Sequence, residues 1–282
     1  MMDIKVSGKI NLCLDILGSM DNGYHSVDTV IQTVDVYDAL SIDISDTISV
    51  DCPGIDEKTN TAYKAAEAFF AGKQISGGCS ISIRKGIPFA AGMGGSSSDA
   101  AAVLRCLNML YDGPYSENEL LSIGSRIGAD VPVLMTGGCQ RCRGIGEILE
   151  NVPSEFHFTA LAVRGNGFVT AGRAYSTYDS IGGDHPDTEK VIDSLKSGDM
   201  DSLIRYSANA LERACLHLCT DCASVMDIFR NDSSCLHSFL TGSGTAVIGI
   251  YRTDEDAVLS QKLFGDRQSV VIHDTRESLI IL

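Results

Sequence analysis

A short run of small residues carries the clearest chemistry in the sequence. Its members are Gly92, Gly94, Gly95, Ser96, Ser97 and Ser98, with Met93 among them and Pro88 ahead. Glycine lets the backbone adopt positive φ and approach a ligand without a Cβ in the way. The serines can cap the helix that follows, and that helix directs its N-terminal N–H groups at whatever the loop holds. These features favour a bound triphosphate; a glycine-rich capped turn with no ligand is the alternative.

Two common nucleotide-binding loops do not fit this segment. No Gly-Lys-Ser/Thr closes it, so it is not a Walker A loop. It also lacks the Rossmann glycine spacing and an acidic ribose partner about 20 residues further on. The segment therefore predicts a phosphate loop of another kind.

Charge and the start of the chain limit the partners we expect. The 282 residues include 22 Lys and Arg against 37 Asp and Glu, a net charge of −15. Duplex nucleic acid and anionic membrane surfaces select basic faces, so neither is expected as a partner. The first residues lack a basic segment followed by an apolar one, and no stretch reaches about 18 apolar residues. We expect a cytoplasmic protein, either a monomer or a weak homodimer.

The ten cysteines include two C-x-x-C pairs, Cys139 with Cys142 and Cys219 with Cys222. The pairs lie much further apart than the two halves of a compact zinc ribbon. In a chain without an export signal, reduced and mostly buried thiols are the simplest interpretation. Zinc is the alternative.

Apolar periodicity indicates a mixed helix and strand protein, of the α+β class. Alternation predicts strands at residues 10–16, 30–36, 40–44, 80–83, 158–163, 245–250 and 269–272. Helical spacing predicts helices at residues 60–70, from the phosphate loop to 110, and at 117–127, 187–195, 200–211, 221–229 and 254–264. Asp21-Asn22-Gly23 is a turn signal between early strands. The pattern of predicted strands and helices changes near residue 150, which predicts two domains, residues 1–150 and residues 151–282.

At its phosphate loop the chain resembles the GHMP kinases, which are named for their galactose, homoserine, mevalonate and phosphomevalonate substrates. Their ATP loop reads P-x-x-x-G-[LM]-G-S/G-S-S-x-A, and residues 88–100 match it. Further segments resemble the branch that acts on 4-diphosphocytidyl-2-C-methyl-D-erythritol: G-K-I-N-L at 8–12, G-Y-H at 23–25, G-A-D-V-P at 128–132, R-G-I-G-E at 143–147 and T-G-S-G at 241–244. Gly8 replaces the usual alanine, and one extra residue precedes Tyr175.

The resemblance implies roles for two charged residues. Asp130 of the G-A-D-V-P segment would be the base that takes the proton of the acceptor hydroxyl. Lys9 would keep that carboxylate ionised and stabilise charge on the transferred phosphoryl group. From residue chemistry alone, Asp130 also fits a helix cap and Lys9 a solvated strand-edge lysine.

The resemblance also implies ligand contacts. Tyr24 and His25 would stack on and hydrogen-bond a cytosine base, whereas a capped hairpin is their structural alternative. Substrate-side candidates are Asn11, Thr170, Gly242 and Ser243. Gly242 and Ser243 also fit a tight turn before the following strand. Asn60 would contact adenine or simply cap its helix.

The implied fold is a ribosomal-protein-S5-like ATP-binding domain followed by a ferredoxin-like substrate domain. The implied activity is an ATP-dependent alcohol kinase of non-mevalonate isoprenoid synthesis, with a cytidine-diphosphate alcohol as substrate. Mg²⁺ would be held mainly by ATP oxygens and water, with no dedicated protein metal site. A homoserine or mevalonate type of GHMP kinase and a non-catalytic nucleotide sensor are the alternatives.

Overall fold

The structure is a computed structural model that describes residues 1–21, 23–154 and 156–282. Its strands are β1 (Met2–Ser19), β2 (His25–Ser45), β3 (Ser49–Asp51), β4 (Gly78–Arg84), β5 (Cys139–Gly144), β6 (Ile148–Asn151), β7 (Thr159–Arg164), β8 (His237–Leu240), β9 (Ala246–Tyr251), β10 (Ser269–His273) and β11 (Leu279–Ile281). Its helices are α1 (Thr61–Gly72), α2 (Gly95–Leu110), α3 (Glu117–Ile127), α4 (Val131–Thr136), α5 (Ala171–Ile181), α6 (Thr188–Ser197), α7 (Met200–Tyr206), α8 (Glu212–Leu218), α9 (Thr220–Asn231) and α10 (Asp254–Gln261). Asn22, at the centre of the expected turn, lies outside the described residues.

The first sheet is organised around two long antiparallel strands, β1 and β2. Its order is β11-β1-β2-β4-β3, and β5 and β6 extend from the other end of β2. The second half of β2 pairs with β4, whereas the first half pairs with β5. Helices α1 and α2 cover this sheet with buried side chains such as Phe69 and Leu104. The apolar alternation predicted for residues 10–16 places one face of β1 in the core.

The second sheet has the order β10-β7-β9-β8, with all neighbouring pairs antiparallel. One side of it packs against β1 and β2 in a shared core that includes Ile10, Val34, Ala160 and Ile248. The other side packs against α8 and α9 through residues such as Phe229. The β1–β2 pair is therefore the surface on which both halves of the chain meet.

The division into residues 1–150 and 151–282 remains a prediction. Strand β6 ends at Asn151, close to the expected boundary, and β7 begins the second sheet. However, β11 pairs with β1 in the first sheet, so the end of the second segment returns to the first half of the molecule.

One predicted helix is too long, and three helices, α4, α5 and α8, were missed. Residues 200–211 form α7 followed by an extended stretch, because the backbone around Ala208 and Ala210 exchanges hydrogen bonds with Leu14 of β1. Helix α5 was not predicted, since it buries only Ala174 completely and thus shows little apolar periodicity.

The longest helix, α2, has 16 residues. Within the described ranges, none of the helices combines the length and apolarity needed to cross a bilayer.

Candidate active site

The phosphate loop ends at Gly94, which stands at the N-cap of α2 with φ of 80°. The expectation that a serine caps this helix is wrong, because the helix already begins at Gly95 and Ser96–Ser98 fall within its first turn. No side chain of the described residues caps α2. The first-turn N–H groups of a long helix are therefore directed into the loop, as a phosphate site requires.

Ser98 is buried, and its side chain stabilises the loop instead of facing a ligand. Its hydroxyl donates to the carbonyl oxygen of Ser7 at 2.8 Å, and its N–H donates to the carbonyl oxygen of Gly94, also at 2.8 Å. The backbone N–H of Lys9 in turn donates to the carbonyl oxygen of Met93 at 3.0 Å. These bonds hold the loop against β1.

The loop lines two cavities. A cavity of about 160 Å³ is lined by Lys85, Gly95, Ser96 and the residues from Ile87 to Gly94. A larger one, of about 530 Å³, contains Lys9, Asn11 and Asp130. Gly92, Gly94 and Ser97 line both. A group passed from one cavity to the other would cross at this loop.

Lys9 and Asp130 meet at the base of the larger cavity. Lys9 Nζ lies 3.2 Å from Asp130 Oδ2 and donates to Asn11 Oδ1 at 2.7 Å. The Lys9 side chain is only 3% exposed, so it is not a solvated strand-edge lysine. Asp130 stands at the N-cap of α4, but its carboxylate makes no capping hydrogen bond. The carboxylate is therefore directed toward the lysine and the cavity.

The glycine-rich segment at 241–244 is held against β1 and carries Gly242 and Ser243 into the larger cavity. The N–H of Asn11 donates to Thr241 Oγ1 at 2.9 Å. A Cβ on Gly242 would lie 3.0 Å from the carbonyl oxygen of Gly92 and 3.3 Å from Lys9 Nζ. Glycine avoids this crowding and adopts the φ of 56° without strain, so it favours the close approach of the two loops around the lysine.

Asn209 supports the same segment and was missed by the sequence reasoning. Its Nδ2 donates to the carbonyl oxygens of Leu240 and Gly242, both at 2.8 Å. The residue lies within the stretch that was expected to be helical, where an asparagine would have faced outward. The signal that could have found it is the poor fit of asparagine to a helix interior.

Aromatic rings form the mouth of the larger cavity. Tyr24, His25 and Tyr175 all line it, and the rings of His25 and Tyr175 stack with centroids 4.8 Å apart. The extra residue before Tyr175 therefore does not remove this tyrosine from the cavity. Burial raises the pKa of Tyr175 to about 12, so its hydroxyl stays neutral. His25 also contacts Asp179 of α5, a residue that was missed together with its helix.

Two of the expected contact residues have structural roles. Thr170 caps α5 by accepting from the N–H of Arg173, and the next residues, Ala171 and Gly172, line the cavity. Asn60 caps α1 by accepting from the N–H of Ala62 at 2.9 Å. Its Nδ2 is buried without a hydrogen-bond partner among the described residues, so its contact with adenine stays a prediction.

The comparisons with known proteins agree with this geometry. The family model described as "GHMP kinases N terminal domain" matches residues 60–138, which include the phosphate loop. The 4-diphosphocytidyl-2-C-methyl-D-erythritol kinase of Desulfitobacterium hafniense is 38% identical, and the match covers 92% of this chain and 90% of the relative. The chain belongs to the 4-diphosphocytidyl-2-C-methyl-D-erythritol kinase family.

Other relatives support the same family. The enzyme of that name from Clostridioides difficile is 35% identical over 99% of this chain and 97% of its own length. A crystal structure of 4-(cytidine 5'-diphospho)-2C-methyl-D-erythritol kinase superposes with a TM-score of 0.83 at 25% identity, covering 97% of this chain and 99% of that one. The predicted α+β GHMP kinase fold is confirmed, and the chain is a phosphotransferase with an alcohol acceptor.

Three charged side chains next to the ATP loop form a largely buried cluster. The sequence analysis did not predict it. Lys85 Nζ contacts a carboxylate oxygen of Asp38 and lies 2.7 Å from Asp99 Oδ2. Asp38 also accepts from the N–H groups of Gly86 and Ile87. Desolvation by burial raises the pKa of Asp99 to about 7, even though Lys85 opposes the rise. No sequence signal joins the three, since each belongs to a different segment.

The cysteines of this kinase are free thiols, as expected. All except Cys235 are buried, and burial raises the pKa of thiols such as Cys139 to about 12. Within the described ranges, no group of three or more potential ligands could hold a metal ion.

Proposed function

We propose that this chain transfers the γ-phosphoryl group of ATP to the 2-hydroxyl group of 4-diphosphocytidyl-2-C-methyl-D-erythritol. The products are the 2-phosphate and ADP, and the step belongs to non-mevalonate isoprenoid synthesis. The observation that carries the proposal is the contact of Lys9 with Asp130 directly below a loop that lines two cavities.

Each cavity suits one substrate. The smaller one presents backbone N–H groups of Gly95 and its neighbours at a helix N-terminus, which suits the phosphates of ATP. The larger one, of about 530 Å³, has room for an alcohol substrate and contains the charged pair. ATP in the first and the alcohol in the second would bring donor and acceptor together at the shared residues Gly92, Gly94 and Ser97.

The charged pair supplies the proton transfer and the charge stabilisation. Asp130 accepts the proton of the 2-hydroxyl while the hydroxyl oxygen forms a bond to the γ-phosphorus. The bond between that phosphorus and the leaving ADP oxygen breaks in the same displacement, and ADP departs with the electron pair. Lys9 keeps the carboxylate ionised at the start and faces the negative charge of the transferred group.

Substrate contacts follow the lining of the larger cavity. Tyr24 and Tyr175 at its mouth offer ring faces to a pyrimidine base, and His25 offers a ring nitrogen for a hydrogen bond to it. Asn11, Gly242 and Ser243 lie nearer the charged pair and suit the alcohol and its diphosphate. The relatives are named for a substrate that joins these two parts, which favours it for this chain.

Mg²⁺ is proposed to enter with ATP. Magnesium prefers oxygen ligands and keeps several waters, and the triphosphate supplies the oxygens. When bound, it would neutralise charge on the β- and γ-phosphates. Asp130 and the hydroxyl of Ser97 are among the oxygen-bearing groups of this chain that line the larger cavity and could face it.

The cellular setting follows from the substrates. The cytoplasm supplies ATP and keeps thiols reduced, which suits the ten free cysteines. We therefore propose a cytoplasmic enzyme that works as a monomer or weak homodimer, with no nucleic acid or membrane partner.

A substrate panel tests the function. ADP release is followed with ATP, Mg²⁺ and, in separate reactions, the cytidyl substrate, mevalonate and homoserine. We expect turnover of the cytidyl substrate alone, with the added phosphate assigned to the 2-position by ³¹P NMR. Phosphorylation of mevalonate or homoserine in its place would refute the substrate. ATP binding without product from any of the three would favour a nucleotide sensor.

A further inference from the structure

An imidazole–carboxylate pair forms one wall at the mouth of the larger cavity. His25, the first residue of β2, places Nε2 2.7 Å from Asp179 Oδ1. Its ring stacks on Tyr175 with 21° between the ring planes. Tyr175 and Asp179 are four residues apart on α5, so they lie on one face of that helix. One helical turn therefore holds both the face and one edge of the imidazole.

The partner of Nε2 decides where the proton of His25 lies. An ionised carboxylate can only accept, so the neutral imidazole donates from Nε2 and keeps Nδ1 as a hydrogen-bond acceptor. The His25 side chain is only 11% exposed, and its ring is confined by Tyr175. Exchanging the two ring nitrogens would break the contact with Asp179.

We propose that Asp179 is a positioning residue for base selection. By holding the proton of His25 on Nε2, it makes Nδ1 an acceptor for the exocyclic amino group of a cytosine base. This proposal rests on the proposed function, because it concerns the base of the cytidyl substrate.

The donor pattern of the base gives the reason for selectivity. Cytosine carries an amino donor at position 4, where uracil carries a carbonyl acceptor. An acceptor on His25 pairs with the first, whereas it leaves both groups unpaired with the second. Selection therefore comes from the unfavourable contact as well as from the favourable one.

The first test compares Asp179→Asn with the unchanged protein. An amide can donate as well as accept, so His25 is no longer held in one tautomer. We expect the ratio of kcat/KM for the cytidyl substrate over its uridyl analogue to fall about ten-fold. The loss should appear in KM, with kcat for the cytidyl substrate changed by less than about three-fold. Asp193→Asn, an exposed aspartate on α6, is the matched control.

A double-mutant cycle tests whether Asp179 acts through His25. In a His25→Ala background the imidazole is absent, so Asp179→Asn should cause no further loss of base preference. An equal loss in both backgrounds would overturn the proposal. An unchanged ratio of kcat/KM in Asp179→Asn would also overturn it, provided that thermal unfolding shows the variant folded.

Direct binding separates this proposal from the proposed function. CDP and UDP are titrated into the unchanged protein and into Asp179→Asn by calorimetry. A preference for CDP that is lost in the variant supports the role of Asp179, even if the cytidyl alcohol is not phosphorylated. An equal preference in both proteins contradicts it. Absence of turnover with the cytidyl alcohol would count against the proposed function alone.

Discussion

Gly92 lies directly against the carbonyl oxygen of Thr241, so closely that a Cβ built on the glycine would collide with it. The two residues belong to the two glycine-rich loops that border the larger cavity. Backbone hydrogen bonds from Ala246 to Ala91 and from Thr245 to Ala90 accompany this contact. The ATP loop is therefore held against the glycine-rich segment at 241–244, and a change in one loop would move the other.

Gly92→Ala should separate these loops. Gly92 has φ of 76°, so alanine adds backbone strain of about 1 kcal/mol and also forces the two loops apart. We expect kcat/KM for ATP to fall at least about ten-fold. Gly198→Ala is the matched control, because Gly198 has φ of 69° with open space around its Cα. It should lose only the backbone strain of about 1 kcal/mol in urea unfolding and keep full activity; equal activity of both variants would contradict the role of the contact.

The contact of Lys9 with Asp130 predicts that both side chains are needed for turnover. Asp130→Asn keeps the shape but not the proton acceptor, so kcat should fall by about 10² or more. Lys9→Met keeps most of the apolar stem but not the charge, and we expect a loss of about 10²–10³. The measurement is single-turnover ADP formation, together with circular dichroism to confirm folding.

Two exposed residues supply controls for that pair. Asp46→Asn and Lys64→Met make the same chemical changes at exposed residues that line neither cavity and should keep normal turnover. Substantial activity in Asp130→Asn would exclude its role as base, and the proton would then have to pass to another group.

Asn209 is expected to contribute both to stability and to catalysis. Its buried side chain makes three hydrogen bonds, to Leu240, Gly242 and Leu211. Asn209→Ala leaves their backbone groups unpaired, which should lower the free energy of unfolding by about 2–4 kcal/mol. KM for the alcohol should also rise as Gly242 loses support. Asn231→Ala, the control, removes an exposed side-chain hydrogen bond. It should change the free energy of unfolding by no more than about 0.5 kcal/mol and KM by no more than about two-fold.

The buried cluster of Asp38, Lys85 and Asp99 predicts a pH-dependent stability. Burial raises the pKa of Asp99 to about 7 in the folded chain, so the folded state binds a proton that the unfolded state releases. This contribution to stability is complete below about pH 4 and is lost as the pH rises to about 7. Asp99→Asn has no carboxyl proton to lose. Its free energy of unfolding should therefore rise relative to that of the unchanged protein as the pH rises.

Urea unfolding at pH 5 and pH 8 measures this gain. We expect the free energy of unfolding of Asp99→Asn, relative to the unchanged protein, to be higher at pH 8 by on the order of 1–3 kcal/mol. Asp193→Asn, which changes an exposed aspartate, should show the same difference at both pH values. A gain for Asp99→Asn that does not depend on pH would mean that Asp99 stays ionised throughout.

Local patterns predicted most of the regular structure correctly. The alternation in β1 and the spacing in α1, α3 and α9 lead directly to buried faces. Helix α5 was not predicted because it buries only Ala174 completely, so its sequence shows little apolar periodicity. The stretch after Tyr206 was misread because its backbone pairs with Leu14, and no local pattern encodes that partner.

The site shows the same division between local and distant interactions. The glycines and serines of the ATP loop are adjacent in the chain, so their composition alone indicated a phosphate site. The serine cap was wrong, because the capping position is set by where α2 begins and not by which residues could cap it.

The amino-acid sequence alone determined the phosphate loop, the family resemblance and the identity of the two charged residues, because each depends on side-chain types and short spacings. Only the tertiary structure decided that Lys9 is buried against Asp130, that Gly92 touches Thr241, and that Asp179 holds His25. These partners come from separate strands and helices. Their distances depend on how two sheets pack around β1 and β2, and packing is a property of the whole core.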